Sequence, residues 1–279
     1  MEPGIKLIEW FDEHFYKIET DDKIEYLPST TTKLQVAPKP FLAKWRGDVG
    51  NREADLKMNE ASDRGKRIHY AVNHYLNRGT VIYNPYQRPT FTAEAIKELE
   101  EKTGKEVFVL KDQGEMYQLY KFKLWINEVK PVIIASEVIV YDLDMKEAGT
   151  VDIVLDIAAG EYNVSGAKPL VLAGGRYIVD LKTGNQIDDN YYMQTADYQV
   201  MYNKSFKNSV GFVPVKENLI IHTNATTKKG ILGLSTHLRT EEEAKKDYED
   251  FRHIAAIWER TNTSNPKVFE FPNLIRLEE

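Results

Sequence analysis

The chain contains no cysteine among its 279 residues. This absence excludes a disulfide framework, and it also excludes zinc or iron–sulfur sites that depend on thiolate ligands. No apolar run approaches the roughly 18 residues that would indicate a membrane-spanning helix. The N-terminal sequence MEPGIKLIEW lacks the cationic start and apolar core of a signal peptide. We therefore expect an intracellular, soluble protein that has no membrane partner and no iron–sulfur cluster.

Positive charge is also in short supply, since the formal net charge is −6 at pH 7. This acidity disfavours tight, static binding to nucleic acid, because neutralisation of phosphates supplies much of that affinity. The charge is unevenly spread, however. The segment from Lys44 to Arg67 carries seven basic residues against five acidic ones, whereas the tail after Thr240 is acidic. The composition is neutral toward an enzyme, which needs no more than a local basic channel.

The stretch from Tyr177 to Tyr198, YIVDLKTGNQIDDNYYMQTADY, holds the most informative pattern. Asp180 and Lys182 are two positions apart in a predicted strand, so their side chains emerge on the same face. A helix is predicted after them, with Gln194 and Tyr198 on one of its faces. Charged side chains on a buried strand cost free energy of folding unless a neighbouring group of opposite charge compensates them. Most such pairs are surface ion pairs, but a divalent metal and a phosphate would also compensate these charges.

Two upstream segments add further polar residues to apolar surroundings. IIASEVIVYDLDMKEAGTVDIVLDI predicts two strands around a turn, with Gly149 three positions before Asp152. ASDRGKRIHYAVNHYL predicts a helix whose apolar residues recur at helical spacing, and His69 lies at the border of that apolar face. Asp152 is embedded in an apolar run, where a carboxylate is again expensive.

Taken in order, five motifs resemble those of the RecB-type nucleases of the PD-(D/E)XK superfamily. They are G-x-x-x-H (Gly65 to His69), an acid before the second strand (Glu137), G-x-x-D (Gly149 to Asp152), D-x-K-T-G (Asp180 to Gly184) and Q-x-x-x-Y (Gln194 to Tyr198). The pieces YLPSTTTKL, FLAKWR and RGKRIH are most similar to the branch that holds the mitochondrial genome maintenance exonuclease and phage exonucleases. The resemblance covers roughly residues 26 to 203.

The resemblance implies an α/β or α+β fold, a restriction-endonuclease-like core with a central mixed β-sheet flanked by helices. We expect one nuclease domain over residues 1–279. Within it, an N-terminal β-hairpin would occupy residues 1–28, a mainly helical arch residues 29–130, and the catalytic sheet with its flanking helices residues 131–279. Relatives with such an arch thread a free strand past their metal ions.

The implied activity is metal-dependent hydrolysis of phosphodiester bonds by a DNA exonuclease. The substrate would be single-stranded DNA or DNA ends in recombination, repair or phage DNA processing. One or two Mg²⁺ or Mn²⁺ ions would be held by four groups, with imidazole suiting Mn²⁺ as well as Mg²⁺: the side chains of His69, Asp152 and Asp180 and the backbone carbonyl of Leu181. Lys182 would orient the attacking water. Glu137 would either bind a metal through water or brace the site.

Further residues are expected on the substrate side. By resemblance, Gln194 and Tyr198 hold either Lys182 or a phosphate. The hydroxyls of Ser29, Thr30 and Thr31 have two interpretations, as the cap of a helix or as contacts to substrate phosphates. Four basic residues are expected to line the entrance to the metal site: Arg46, Arg64, Lys66 and Arg67. Asp156 is interpreted as a supporting or solvated residue, and the remaining histidines as structural.

Two other functions remain open. Within the enzyme class, a structure-specific endonuclease or junction resolvase is the closest rival. From a different class, the fold could serve as a non-catalytic DNA-binding module, although the intact set of motif residues argues against that. Beyond DNA, the implied partners are a helicase or a single-strand annealing or binding protein, in the cytoplasm of a bacterial or phage-infected host cell.

Outside the motifs, apolar periodicity and breakers predict the remaining elements. They are an N-terminal β-hairpin or meander over residues 5–27 with a turn at Asp21-Asp22, helices over residues 40–76 with a break at 47–50, a loop over 77–92, helices over 92–101 and 115–129, a strand between them at 106–110, strands at 217–223 and 230–238, and a last helix over 241–260. A long connection from Ala159 to Gly175 precedes the D-x-K strand. It is longer than family members usually have, and it leaves the register of that strand open.

Overall fold

The computed structural model describes residues 4–10, 13–19, 23–83, 92–164, 168–225 and 233–262. Within these ranges the chain forms seven α-helices and twelve strands, the latter arranged in four sheets. The largest is a mixed five-stranded sheet with helices packed on both of its faces. The protein is thus of the mixed α and β class. No helix in the described ranges is both long and apolar enough to cross a membrane.

Of the two alternatives at the N-terminus, a β-hairpin or a meander, the structure has the meander: a three-stranded antiparallel sheet of β1 (Gly4–Trp10), β2 (Glu13–Glu19) and β3 (Ile24–Pro28). The Asp21-Asp22 turn that the sequence predicts lies outside the described residues. Apolar side chains of β2 and β3 are buried against Ala148 of the central sheet. The small sheet is therefore part of the wall around the main sheet.

A helical segment follows, beginning with α1 (Thr30–Lys33) and a 3₁₀ turn (Leu34–Val36). Next come α2 (Pro40–Val49) and α3 (Asn51–Leu76), separated by Gly50 at φ +86°, a conformation that favours glycine. The predicted break is confirmed. No residue of α2 is buried, and Ala54 is the one buried residue in the first half of α3. These helices project from the body, whereas the second half of α3 packs into the core.

The segment between α3 and the main sheet contains one element that was not predicted. β4 (Thr80–Tyr83) pairs in parallel with β5 (Val107–Leu110), with α4 (Ala93–Thr103) between them. The expectation of a loop over residues 77–92 is therefore wrong at 80–83, because β5 supplies a partner distant in sequence. Residues 84–91 lie outside the described ranges. α5 (Gln113–Val129) follows and buries Phe122 and Trp125 completely.

The main sheet carries the motif residues. The strands that follow α5 are β6 (Val132–Asp142), β7 (Glu147–Ile157), the small hairpin β8 (Gly160–Tyr162) and β9 (Leu170–Leu172), β10 (Gly175–Lys182), β11 (Val215–His222) and β12 (Ser235–Arg239). The order in the main sheet is β12-β11-β10-β7-β6, with β10 and β11 parallel and the other neighbours antiparallel. The hairpin occupies the long connection, and β10 pairs with β7 from Gly175 opposite Ile157 to Val179 opposite Ile153.

Two helices complete the fold. α6 (Asp189–Phe206) connects β10 to β11, and α7 (Glu241–Thr261) begins with a capping box formed by Thr240 and Glu243. Tyr198 and Met201 of α6 pack on one face of the main sheet, while α3 and α5 pack on the other. The motif strand β10 therefore lies in the middle of three layers.

Candidate metal centre

Asp180 and Lys182 form an ion pair at the C-terminal end of β10. Lys182 Nζ lies 3.0 Å from Oδ1 and 2.8 Å from Oδ2 of Asp180, as expected for residues on one face of a strand. Burial raises the pKa of Asp180 to about 6, against the opposing effect of the ammonium group. Burial lowers the pKa of Lys182, but the charges of Asp180 and Asp152 outweigh it and raise that pKa. Lys182 is thus held in its charged form.

Asp152 lies on the neighbouring strand β7, where the ladder between β7 and β10 ends. The last paired residues are Ile153 and Val179, and just beyond them the backbone N–H of Leu181 donates to Asp152 Oδ2 at 2.7 Å. The other oxygen, Oδ1, lies 3.5 Å from His69 Nδ1 of helix α3. Burial works against the ionised carboxyl group, but the neighbouring His69 and Lys182 keep the pKa of Asp152 below its usual value.

Glu137 on β6 brings a second carboxyl group to His69 and Asp152. One ligand atom from each of the three residues lies within 4.8 Å of those of the other two. Glu137 has φ +53°, a left-handed conformation that costs a non-glycine residue roughly 1–3 kcal/mol. This strain occurs where the side chain joins the cluster, which is typical of functional sites. We call His69, Glu137 and Asp152 the cleft cluster.

The donors of the cleft cluster fit a divalent cation. Two carboxylates and one imidazole are ligands that Mn²⁺ accepts, and carboxylates suit Mg²⁺. Glu137 is an exposed residue, but desolvation of its carboxyl group by the surrounding cleft, together with the charge of Asp152, raises its pKa to about 7. Burial lowers the pKa of His69, but Asp152 overcomes this effect and raises it to about 9. The two carboxyl groups thus repel each other's negative charge, and a cation between them would remove that cost.

The cluster differs from the expected ligand set in one respect. Asp180 is not among the residues whose ligand atoms converge, while Glu137 is. Lys182 lies close to both oxygens of Asp180, and the N–H of Leu181 is taken by Asp152. The roles of the Asp180 carboxylate and the Leu181 carbonyl as metal ligands therefore remain predictions.

Helix α6 holds Lys182 in place. Lys182 Nζ donates to Gln194 Oε1 at 3.2 Å, and Gln194 Nε2 donates to the hydroxyl of Tyr198 at 3.1 Å. Of the two roles that the sequence left open for Gln194, the structure displays contact with Lys182. Tyr191 adds its ring 4.2 Å from the ammonium group. Sequence reasoning missed Tyr191, although its position three residues before Gln194 places it on the same helix face.

Two motif glycines allow close packing around the cluster. A Cβ atom at Gly149 would lie 2.3 Å from Cε1 of Tyr198, a distance that no side chain tolerates without movement. A Cβ atom at Gly65 would lie 3.2 Å from Oγ1 of Thr183, just past the end of β10. Glycine at these positions lets α6 and α3 approach the sheet at the level of the motif residues.

The serine and threonine residues after β3 are enclosed. Ser29 Oγ accepts the N–H of Thr32 at 3.0 Å and caps α1, while Thr30 donates to Asp197 at 2.6 Å. Ser29 is 2% and Thr30 0% exposed, which agrees with the capping interpretation, while their contact with substrate phosphates stays a prediction. The hydroxyl of Thr31, which is partly buried, lies 2.8 Å from that of Ser29.

The four basic residues expected at the entrance have different surroundings. Lys66 is exposed and lines a cavity of about 470 Å³ that also contains His69 and Glu137. Arg67 instead donates twice to the buried Glu115, at 2.8 and 2.6 Å, and Arg46 pairs with Asp55 at 2.7 Å. Arg67 and Arg46 therefore pair with acidic residues of the protein itself. Neither of them lines the cavity, and the partly buried Arg64 does not line it either.

Asp156 has a partner away from the cleft cluster. Its two oxygens each lie 2.8 Å from Arg176, in a bidentate pair. Asp156 is thus paired within the protein, and a supporting role for it at the site stays a prediction. His222 Nε2 lies 2.7 Å from the carbonyl oxygen of Gly184, and burial lowers the pKa of this histidine, so it is likewise a packed residue.

Sequence reasoning also missed Tyr16, which brings the N-terminal sheet to the site. Its hydroxyl lies 2.7 Å from Oγ1 of Thr150, two residues before Asp152. Burial, with smaller contributions from Glu137 and Asp152, raises the pKa of Tyr16 to about 12. Nothing in the local pattern of β2 distinguishes Tyr16 from a core residue, so no sequence signal identifies this contact.

Comparison with known proteins adds no identification: no family model matches the chain, and no curated protein has a sequence that matches it.

Proposed function

We propose that the protein is a metal-dependent deoxyribonuclease with a PD-(D/E)XK-type core, and that it hydrolyses phosphodiester bonds at the ends of single-stranded DNA. One observation carries the proposal: the cleft cluster, which fits a divalent cation, adjoins the Asp180–Lys182 ion pair. The charges of Lys182 and Asp180 shift the pKa of His69, and the charge of Lys182 lowers that of Asp152, so the two groups form one electrostatic unit.

In this proposal His69, Glu137 and Asp152 hold the ion, with Asp180 as a further candidate ligand. When bound, Mg²⁺ or Mn²⁺ supplies positive charge that stabilises the attacking and leaving oxygens of the phosphodiester. Lys182 stays protonated because Asp180 lies beside it. Its ammonium group then offsets negative charge on the phosphoryl group and orients water, and it does not act as a neutral base.

The preference for free single-stranded ends rests on α2 and the first half of α3. These helices project beside the half of α3 that bears His69, with no buried residue in α2. Their basic residues are Lys44, Arg46, Arg52 and Lys57, and the basic segment continues along the second half of α3 to Arg67. An arch built from them would admit one strand and would exclude a duplex, whose width is far greater.

The experiment compares linear and covalently closed circular single strands of identical sequence, end-labelled where possible, with Mg²⁺, Mn²⁺ or EDTA. The proposal predicts degradation of the linear strand with either metal, resistance of the circle and no activity in EDTA. Equal rates on both substrates would instead favour an endonuclease. Binding without cleavage under any metal condition would favour the non-catalytic module.

A further inference from the structure

The cavity beside the cleft cluster has an aromatic wall. Its volume is about 470 Å³, and it is lined by Gly65, Lys66, His69, Tyr70, Asn73 and Glu137. Tyr70 follows the cluster residue His69 directly in α3 and is 45% exposed. The hydrophobic cores contain the neighbouring Ile68 and Ala71 but not Tyr70. A large ring is thus presented to the cavity at the position next to a cluster residue.

Contacts on other sides fix the ring of Tyr70. Its centroid lies 4.7 Å from that of Phe108 on β5, at an interplanar angle of 53°, and 6.3 Å from that of His74, at 14°. Its hydroxyl donates to Glu106 at 3.2 Å. An aromatic side chain that is both restrained and half exposed loses little entropy when a flat ligand stacks on it.

Lys66 lies one helical turn before Tyr70 and lines the same cavity. Residues at this spacing share a helix face, about 6 Å apart along the axis. An ammonium group beside an aromatic ring matches the two parts of a nucleotide, the phosphate and the base. The cleft cluster lies in the same cavity through His69 and Glu137.

We infer that Tyr70 is a stacking platform for the nucleobase next to the cleaved phosphodiester, with Lys66 contacting an adjacent phosphate. This inference rests on the proposed nuclease function and specifies how its substrate is held. A base within a duplex has both faces covered by neighbours, so stacking on Tyr70 requires an unpaired nucleotide. The platform therefore selects single strands by a contact independent of the arch.

The test measures affinity and cleavage for three variants and a control. Tyr70→Leu removes the ring but keeps an apolar side chain against Phe108, Tyr70→Ala removes both, and Tyr70→Phe keeps the ring. Tyr120→Ala is the matched control, because Tyr120 of α5 is 46% exposed and is not among the cavity residues. Fluorescence anisotropy with a labelled single-stranded oligonucleotide in EDTA gives the dissociation constant, and thermal unfolding checks the fold.

Loss of one base–aromatic stack predicts binding weaker by about 10-fold in Tyr70→Leu and Tyr70→Ala, with a matching rise in KM. Tyr70→Phe and Tyr120→Ala should stay within about twofold of the unaltered protein, since the stack is retained. Unchanged affinity and KM in Tyr70→Leu would overturn the platform while leaving the nuclease proposal intact.

A scan of oligonucleotides with a single abasic residue tests the same contact without any dependence on a variant's folding. In the unaltered protein, one abasic position next to the cleaved bond should slow cleavage, and in Tyr70→Leu that position should cause no further loss. An equal loss in both proteins, or no sensitive position at all, contradicts the inference. If the unaltered protein neither binds nor cleaves single-stranded DNA, the proposed function fails together with the platform.

Discussion

Strand β7 contributes to two charged clusters whose surroundings differ. Near its middle, Asp152 joins the cleft cluster, which is partly exposed. At its start, Glu147 is 0% exposed and contacts Lys33 Nζ at 2.8 Å and Arg252 Nη1 at 3.1 Å. Asp197 of α6 lies in the same enclosed region, bonded to Thr30. We call Lys33, Glu147, Asp197 and Arg252 the enclosed cluster.

The enclosed cluster pairs its charges away from solvent, whereas the cleft cluster opens to a cavity. Lys33 is 1% exposed, yet its ammonium group also contacts Glu259 at 3.0 Å and a backbone carbonyl at 3.3 Å. Burial and the nearby Glu147 raise the pKa of Asp197 well above its usual range, so Asp197 is neutral. Charged groups that pair with one another inside the protein indicate a structural role, whereas carboxylates and an imidazole that converge at a cavity offer ligands to an external cation.

The largest expected effect comes from Asp152→Asn in the cleft cluster. The amide keeps the shape of the carboxyl group but cannot supply the negative charge that holds a cation, so hydrolysis should fall more than about 100-fold. The free energy of unfolding should change by about 1 kcal/mol or less. Turnover of an end-labelled strand and chemical denaturation give the two quantities. Asp156→Asn is the control, and near-normal turnover of Asp152→Asn would break the distinction between the clusters.

The opposite result is expected for Lys33→Met in the enclosed cluster. Removing one partner of a buried ion pair leaves a carboxylate without compensation and costs about 3–5 kcal/mol of unfolding free energy. Turnover per folded molecule should be unchanged, because Lys33 does not border the cleft. Lys102→Met is the control, since its exposed pair with Glu98 is worth about 0.5 kcal/mol. A stable Lys33→Met variant without activity would reverse the assignments of the two clusters.

The pH dependence of stability separates the clusters further. Because the pKa of Asp197 is raised in the folded state, the folded protein retains a proton that the unfolded chain loses above about pH 4. The contribution of Asp197 to stability therefore falls as pH rises from that value, by about 1.4 kcal/mol per pH unit until the folded protein also loses the proton. Asp197→Asn, a neutral mimic, should be more stabilising at pH 7 than at pH 4. Thermal unfolding of the variant and the unaltered protein at pH 4 and pH 7 measures the difference in their stability. The same difference in stability at both pH values would contradict the prediction.

A smaller effect is expected from Gln194→Ala, which removes a contact to Lys182 but no charge. Asp180 and Tyr191 still hold the ammonium group, so we expect about a 10-fold loss of kcat and little change in KM. Gln199→Ala, on the same helix but bonded to the carbonyl of Val215, is the control. Steady-state kinetics distinguish the two variants, and equal losses would indicate a general effect on α6.

The parts of the structure that follow from local patterns were predictable from the sequence. Period-two spacing identified β10 and placed Asp180 and Lys182 on one of its faces, and helical spacing identified α6. The contact of Gln194 with Lys182 was one of two roles that the resemblance implied. β4 was not predictable in this way, because its formation depends on pairing with β5. The left-handed conformation of Glu137 lies within an ordinary-looking strand pattern, so its place in the cleft cluster stayed undecided.

Long-range contacts explain the remaining differences. Lys33 contacts Glu147 and Glu259, which are 114 and 226 positions away, and no spacing rule connects them. The same packing encloses Ser29 and Thr30, whose hydroxyl run alone is equally typical of a phosphate contact. The sequence pattern could not predict which polar side chains are buried, because their burial depends on the assembled fold.

The central claim is that the cleft cluster holds a divalent cation, and titration with Mn²⁺ followed by electron paramagnetic resonance tests it most directly. The account predicts saturable binding to the unaltered protein at neutral pH. Glu137→Gln and Asp152→Asn should each weaken this binding at least about 10-fold, and Asp156→Asn should leave it unchanged. Absence of binding at millimolar Mn²⁺, or equal binding by all four proteins, would contradict the claim.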